Sequence, residues 1–456
     1  MKKDISKQIS AVLSVSGTAA LAAVFLHWSI TKNNHTVFGF SAALASVLLA
    51  AAVYLKFVPL WVDFWHKDKT SFCGNLKTEE TPKYIYLKTV AAFIGVSAAT
   101  LAVIFIIRYS KGYCTSFADS MRVWLETDAL HYQDIAKEWY LSEGIWDRLV
   151  QLVFLPGYPI IVRLLSAIVK DCYYAAFAVS IICFAASGCM MYRVMRLDYP
   201  HKESIRAVKY LCIFPASFFF SGPLSESLFL LLCLCCIYCI RTKRWFWGGI
   251  AGGYAAFTRS LGITLIVVLV MEFVRETVNL EKTEIKSART VKNGLSMLLV
   301  PAGFGAYCCI NYLVSGDFFK FMEYQSKHWS QNLGWFFNTA GYQTELVAGN
   351  WGQNFRIIAG LWLPNVFMIF AALAVVLLAE KKLRPSYTAW FIAYFTVAIG
   401  ATWLLSAPRY LVAFAPFSMA LALDVKNKKA DCIVTICCII LNIAYLYVFS
   451  VRWYVW

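Results

Sequence analysis

Apolar stretches of about 20 residues, the length that crosses a bilayer core, recur along the whole chain with short polar breaks between them. Read as helices, they predict spans near 8–28, 38–60, 84–108, 172–192, 205–220, 224–240, 245–258, 260–275, 293–314, 356–379, 386–404, 407–424 and 430–450. The expected fold is therefore an all-α polytopic membrane protein, a bundle of about 13 transmembrane helices. Residues 149–170 are also apolar, but Pro156, Pro159 and Arg163 interrupt them. Prolines and a mid-segment arginine favour a stretch lying along the membrane surface rather than across it. The first span follows a basic start and stays apolar to Phe25. That is longer than the core of a secretory signal and favours an uncleaved anchor.

Lysine and arginine concentrate in cytoplasmic loops. With Lys2, Lys3 and Lys7 inside, one threading of the chain puts every basic cluster on the same face. Those clusters are Lys67, Lys69, Lys77 and Lys83, then Arg193, Arg196, Lys202, Arg206 and Lys209, then Arg241, Lys243 and Arg244. Arg275, Lys282, Lys286, Arg289 and Lys292 follow, then Lys381, Lys382 and Arg384, then Lys426, Lys428 and Lys429. The expectation is a multi-pass plasma-membrane protein with a cytoplasmic N-terminus and two long outer loops, 109–171 and 315–355. Residues 1–80 read as a two-helix membrane extension, and 81–456 as the main membrane domain.

Composition agrees with the pattern. The 456 residues are 60% hydrophobic, 16% aromatic and 15% charged, far from a soluble average. The net charge of +16 sits in the inner clusters, where it orients helices and meets membrane lipids, so nucleic acid is excluded as a partner. Most of the 15 cysteines lie in apolar runs and serve as small hydrophobes. Cys73 and Cys114 fall in loops on opposite sides, which leaves no disulfide framework and no zinc spacing.

Chemistry concentrates in the outer loops and turns. The run from Trp124 to Tyr140 contains Glu126 and Asp128, an acidic pair at the membrane edge. With a helix starting near Asp128, the residues Asp128, His131, Tyr132 and Ile135 share one face. Asp128 could accept a proton from an acceptor hydroxyl, help hold a divalent ion such as Mg or Mn with Glu126, or cap its helix. In the turn Phe214–Ser227, Pro223 suits the first position of a helix and Glu226 its first turn. Arg259 and Arg409 stand at outer helix ends, where positive-inside statistics disfavour arginine. A planar guanidinium matches phosphate oxygens there, or snorkels to headgroups. Tyr410 adjoins Arg409, and Gln325, His328 and Trp329 lie in the second loop. Carboxylates, arginines and aromatics against a membrane suit a sugar held through a phosphate on a lipid.

These residues fall in motifs that resemble a known family. Asp128 to Tyr140 is similar to a D-x-x-x-Y-x-x-I-A-x-x-x-Y first-loop motif, and Phe154-Leu155-Pro156-Gly157-Tyr158-Pro159 to an F-x-P-x-x-P element. The segment from Phe214-Pro215 to Leu228-Phe229 resembles P-x-x-x-F-F-S-x-x-x-S-E-S-L-F, and Thr258–Gly262 resembles T-R-S-x-G. In this order and spacing, over about residues 84–420, they resemble the GT-C glycosyltransferases. Within these the resemblance is to the second mannosyltransferase of GPI-anchor assembly (PIG-V type) and its bacterial relatives. The resemblance implies a GT-C-like bundle with extracytoplasmic loops and inverting transfer of mannose from a polyprenyl-phosphate donor to a lipid-linked or glycan acceptor. It implies Asp128 as the catalytic residue. It implies that Glu226 and Arg259 line the site, with weaker matches at Gln325, Trp329, Arg409 and Tyr410; Glu126, His131 and Tyr132 are further candidate substrate contacts from the residues themselves, and metal use stays open. Thr127 replaces the family's tryptophan, and residues 1–80 have no counterpart. The alternatives are a transporter or flippase for lipid-linked glycans, which would need mid-helix charges, and a glycan polymerase or ligase.

Overall fold

In hydrocarbon every backbone N–H must find a carbonyl within its own segment, so apolar stretches fold as helices. The computed structural model describes residues 2–32, 35–66, 80–141, 147–278, 280–379 and 383–455. Among these the regular elements are all helices, with one isolated antiparallel bridge between Leu333 and Ala401. Lys67, Lys69, Cys73, Lys77, Lys381 and Lys382 lie outside the described residues. All described cysteines are free thiols.

Among the described residues seven helices are long and apolar enough to cross a membrane: Ser6–Thr31, Val37–Trp65, Ile85–Ser110, Cys172–Met195, Ala288–Ser315, Phe355–Leu378 and Lys428–Ser450. The other expected spans coincide with shorter elements, among them His201–Ile213, Glu226–Arg241, Trp245–Thr258, Ile266–Thr277 and Pro385–Ile399. At ~1.5 Å per residue these are roughly 18–24 Å long, less than a full hydrocarbon thickness. The count of about thirteen full-length spans is thus not reproduced.

Local chemistry explains the shortening. The helix expected to reach residue 220 stops at Ile213, because Pro215 pushes Phe214 into an extended conformation with ψ 146°. The span expected over 407–424 is two helices, Ala407–Val412 and Ala415–Asp424, the second with a proline in its first turn. Pro223 is not at a first helical position, since that helix begins at Glu226. The stretch 149–170 forms a short 3-10 turn, Arg148–Val153, and a 13-residue helix, Gly157–Val169. At roughly 20 Å that helix is too short to cross alone.

The two N-terminal helices share the large apolar core. Phe25, Trp28, Val47 and Phe57 are buried in the same cluster as Trp390 and Phe414. Trp28 Nε1 donates to Asn338 Oδ1 at 3.0 Å, and the Thr36 hydroxyl donates to Glu345 at 3.0 Å. These helices therefore brace Phe336–Gly349 in the second loop. Elsewhere, the Trp245–Thr258 and Leu299–Ser315 helices cross at bare backbone. A Cβ on Gly303 would lie 1.9 Å from the Gly253 carbonyl oxygen. Small residues permit such close approach between membrane helices.

The helix ends sort into two groups. At one end Arg241 forks onto Asp198 at 2.6 and 2.7 Å, and Arg384 forks onto Glu272 at 2.6 and 2.8 Å. Lys209 meets Asp431 there at 2.7 Å, and Arg206 donates to the Ala422 and Val425 carbonyls. All these basic groups belong to the clusters that the charge pattern assigns to one face. The opposite ends carry Asp128, Glu226, Arg259 and Arg409.

Candidate active site

A second apolar cluster seats these four residues. Trp124, Tyr132, Phe154, Tyr158, Phe218, Phe219, Tyr445 and Phe449 pack together as its rings. Above them, Asp128 immediately precedes the Ala129–Glu138 helix but makes no side-chain cap bond. Its Oδ2 lies 2.6 Å from Arg409 Nη2 instead, so the capping role is not the one adopted.

Arg409 sits in the short Ala407–Val412 helix, just after Pro408 in its first turn. Its side chain is 4% exposed, and its Nε pairs with Glu226 Oε1. Glu226 opens the Glu226–Arg241 helix and is fully buried. Arg259 follows the Trp245–Thr258 helix in an extended conformation, φ −147° and ψ 138°, which turns its side chain back toward Glu226. Its Nη1 stands 2.6 Å from Glu226 Oε1 and donates to the Ser225 hydroxyl at 3.0 Å. Both arginines are largely withdrawn from solvent, so snorkelling to headgroups does not describe them.

The result is a line of alternating charge, Asp128, Arg409, Glu226 and Arg259, buried except at Asp128, whose side chain is 34% exposed. Each charge taken from water costs several kcal/mol in isolation, and such groups persist only when paired. Aromatic faces support the cations, with Tyr410 5.7 Å from the Arg259 guanidinium and Phe219 5.9 Å from that of Arg409. Tyr132 joins through Ser225, hydroxyl to hydroxyl at 2.9 Å. Burial pushes the Tyr132 phenol up to about 12, against the opposing pull of Arg259, so it stays protonated.

His131 stacks on Phe154 at 4.4 Å with a 16° interplanar angle. Burial lowers its imidazole below the ordinary 6.5, although Asp128 and Asp134 pull the other way. Trp329 reaches the same ring edge-on at 5.8 Å. The second loop thus meets the first around Phe154, and Tyr324 strengthens the junction by donating to Asp147. Gln325 is turned aside, its amide donating to Gln331 at 2.8 Å. Glu126 is also outside the line; it pairs with Arg452.

The paired acids therefore do not converge, since each carboxylate faces a different arginine. Among the described residues no group of three or more His, Cys, Asp or Glu side chains could hold a metal ion.

Ser225, Phe154 and Arg452 join the site without having been singled out from the sequence. Ser225 and Phe154 lie inside the quoted motifs, where they looked like a helix start and a packing ring. Arg452 had no local signal at all.

No family model matches the chain, and no curated protein matches it. Among solved structures it is similar to the Archaeoglobus fulgidus oligosaccharyltransferase, crystallised tethered to an acceptor peptide with the NVT sequon. The identity is 12% and the TM-score 0.40, over 82% of this chain and 55% of that one. The chain thus spans about half the length of that enzyme. At this TM-score the likeness decides neither fold nor function.

Proposed function

We propose that the protein is a GT-C-type membrane glycosyltransferase. It transfers a hexose, mannose by the family resemblance, from a polyprenyl-phosphate donor to a lipid-linked or surface glycan acceptor, with inversion. The site faces the extracytoplasmic side of the plasma membrane, and the N-terminus is cytoplasmic. The observation that carries this is the Asp128–Arg409 contact at 2.6 Å, with Arg409 also held by buried Glu226.

In the transfer, the acceptor oxygen forms a bond to C1 of the sugar as the C1–O bond to phosphate breaks. The acceptor proton passes to Asp128, and the electron pair leaves with the polyprenyl phosphate. Side-chain base catalysis contributes roughly 10²–10⁴-fold. Arg409 and Arg259 face the departing phosphate and stabilise the charge that grows on it. Glu226 fixes both guanidinium groups before the substrate arrives, so no reorganisation is needed at the moment of reaction.

The resting line is electrically neutral, with two carboxylates against two guanidinium groups. An incoming phosphate diester adds one negative charge and competes with Asp128 for Arg409. Donor binding thereby frees the Asp128 carboxylate to act as base only when a donor is present.

The test is transfer from radiolabelled polyprenyl-phosphate mannose in membranes, comparing wild type with Asp128→Asn, with release of polyprenyl phosphate followed in parallel. Loss of both signals in the variant supports the role of Asp128. Equal transfer by the two proteins removes it. Labelling of engineered cysteines in 109–141 by an impermeant reagent from the cytosolic side only would overturn the sidedness.

A further inference from the structure

Beside Asp128 lies a cavity of about 310 Å³ that the transfer chemistry above does not use. Val123, Glu126 and Thr127 form one wall, while Phe449, Arg452, Tyr454 and Val455 form the other. Thr127 is the residue before Asp128, which puts the cavity wall one residue from the proposed base. Its size falls at the small end of ligand pockets.

The second wall is held in an unusual backbone. Arg452 and Tyr454 both adopt left-handed conformations, φ 61° and 57°. Side chains seldom sit there, and such residues cluster at binding sites. The turn is pinned by the Arg452 amide on the Phe449 carbonyl at 3.0 Å and by the Trp453 amide on the Val448 carbonyl at 3.1 Å. Trp453 is held in turn by Phe355, Tyr447 and Arg356 around its ring. Opposite it, Gly360 lies in a π-helical turn, Ile358–Trp362, and a Cβ there would fall 1.3 Å from the Trp453 carbonyl oxygen. Only glycine admits the backbone of 453 at this position. A strained turn, a π-turn and a glycine seat together hold the Arg452 and Tyr454 side chains toward residues 123–127.

The lining mixes one carboxylate, one guanidinium and one phenol with the apolar faces of Val123, Phe449 and Val455. Glu126 and Arg452 are paired, and their side chains remain 35% and 55% exposed. A carboxylate that accepts hydrogen bonds beside a guanidinium that donates them matches adjacent hydroxyl groups. An aromatic ring beside them can offer its electron-rich face to the C–H face of a sugar ring.

We propose that this cavity is the acceptor subsite, taking a hexosyl or polyol end group whose neighbouring hydroxyls bridge Glu126 and Arg452. Tyr454 lies against the ring, and one hydroxyl is directed to Asp128. This rests on the transferase function proposed above.

The experiment uses the full chain in nanodiscs and an alkyl α-mannoside bearing a photoreactive diazirine. Crosslinks mapped to 123–127 or 449–455, competed by octyl α-mannoside and lost in Arg452→Ala, are the expected result. Crosslinks elsewhere, or crosslinks that octyl α-mannoside does not compete, overturn the proposal. In the transfer assay Glu126→Gln and Arg452→Lys raise the KM for octyl α-mannoside roughly tenfold or more, the size of one charge-assisted hydrogen bond. The KM for the donor stays unchanged; a rise in both, or in neither, removes the subsite. The two ideas fail separately. If Asp128→Asn abolishes transfer while the competed crosslink is missing, the subsite falls and the chemistry stands. If Asp128→Asn transfers normally, the chemistry falls, and the crosslink still reads binding directly.

Discussion

Arg409 holds two acids at once: its Nη2 lies 2.6 Å from Asp128 Oδ2 while its Nε pairs with buried Glu226. Glu226 and Arg409 are 183 positions apart in the chain. A planar guanidinium can serve two carboxylates in different directions; a lysine ammonium on a flexible stem cannot do so with the same geometry.

Arg409→Lys should therefore keep the charge and lose the function. The expected fall in kcat is roughly 10²–10³-fold, as for removal of one preorganised donor. Arg409→Ala should also lower stability by about 3–5 kcal/mol, because Glu226 loses one of its partners in a buried site. Transfer kinetics and thermal unfolding in nanodiscs check the two parts. A kcat for Arg409→Lys within twofold of wild type would count against phosphate stabilisation by this group.

Ser225 links Tyr132 to Arg259 through one hydroxyl. Ser225→Ala and Tyr132→Phe each remove the same Tyr132–Ser225 bond, at a cost of about 0.5–1.5 kcal/mol. Their double variant should be less destabilised than the sum, with a coupling of at least about 0.5 kcal/mol. A double-mutant cycle read by thermal unfolding measures it. Strict additivity would mean that the hydroxyls do not meet.

His131 has a lowered pKa, chiefly through burial. The folded protein then binds its proton less readily than the unfolded chain does. The associated stability is fully present above the ordinary 6.5 and is lost as pH falls through the lowered folded value. Melting temperature should drop on acidification below pH 6.5, and His131→Gln should flatten that part of the profile. Parallel profiles for the two proteins would show that another group is responsible.

Gly303 and Gly253 meet backbone to backbone. Gly303→Val should prevent the crossing, since even the first added carbon falls at 1.9 Å from a carbonyl oxygen. Loss of folded protein by size-exclusion chromatography is expected, whereas Gly305→Ala, with open space around it, should behave as wild type. Normal yield of Gly303→Val would contradict this helix packing.

Helix positions were legible from the sequence because lipid imposes a simple requirement: long apolar stretches with internally satisfied backbones. The seven long helices obey it on their own. The shorter ones did not reveal their ends, since Pro215 and Pro416 act on local backbone that hydropathy averages away. Charge alone grouped the basic clusters, and in the structure Arg241, Arg384 and Lys209 each find an acidic partner.

What the sequence by itself determined was an all-helical chain with spans, basic ends and a short list of unusual acids and arginines. Which acid meets which arginine was decided only in three dimensions. Asp128 and Glu226 share Arg409, while Glu126, two residues from Asp128, turns to Arg452 instead. Pairing over such separations depends on how helices stack and where their ends fall, and no local pattern of residues encodes that distance.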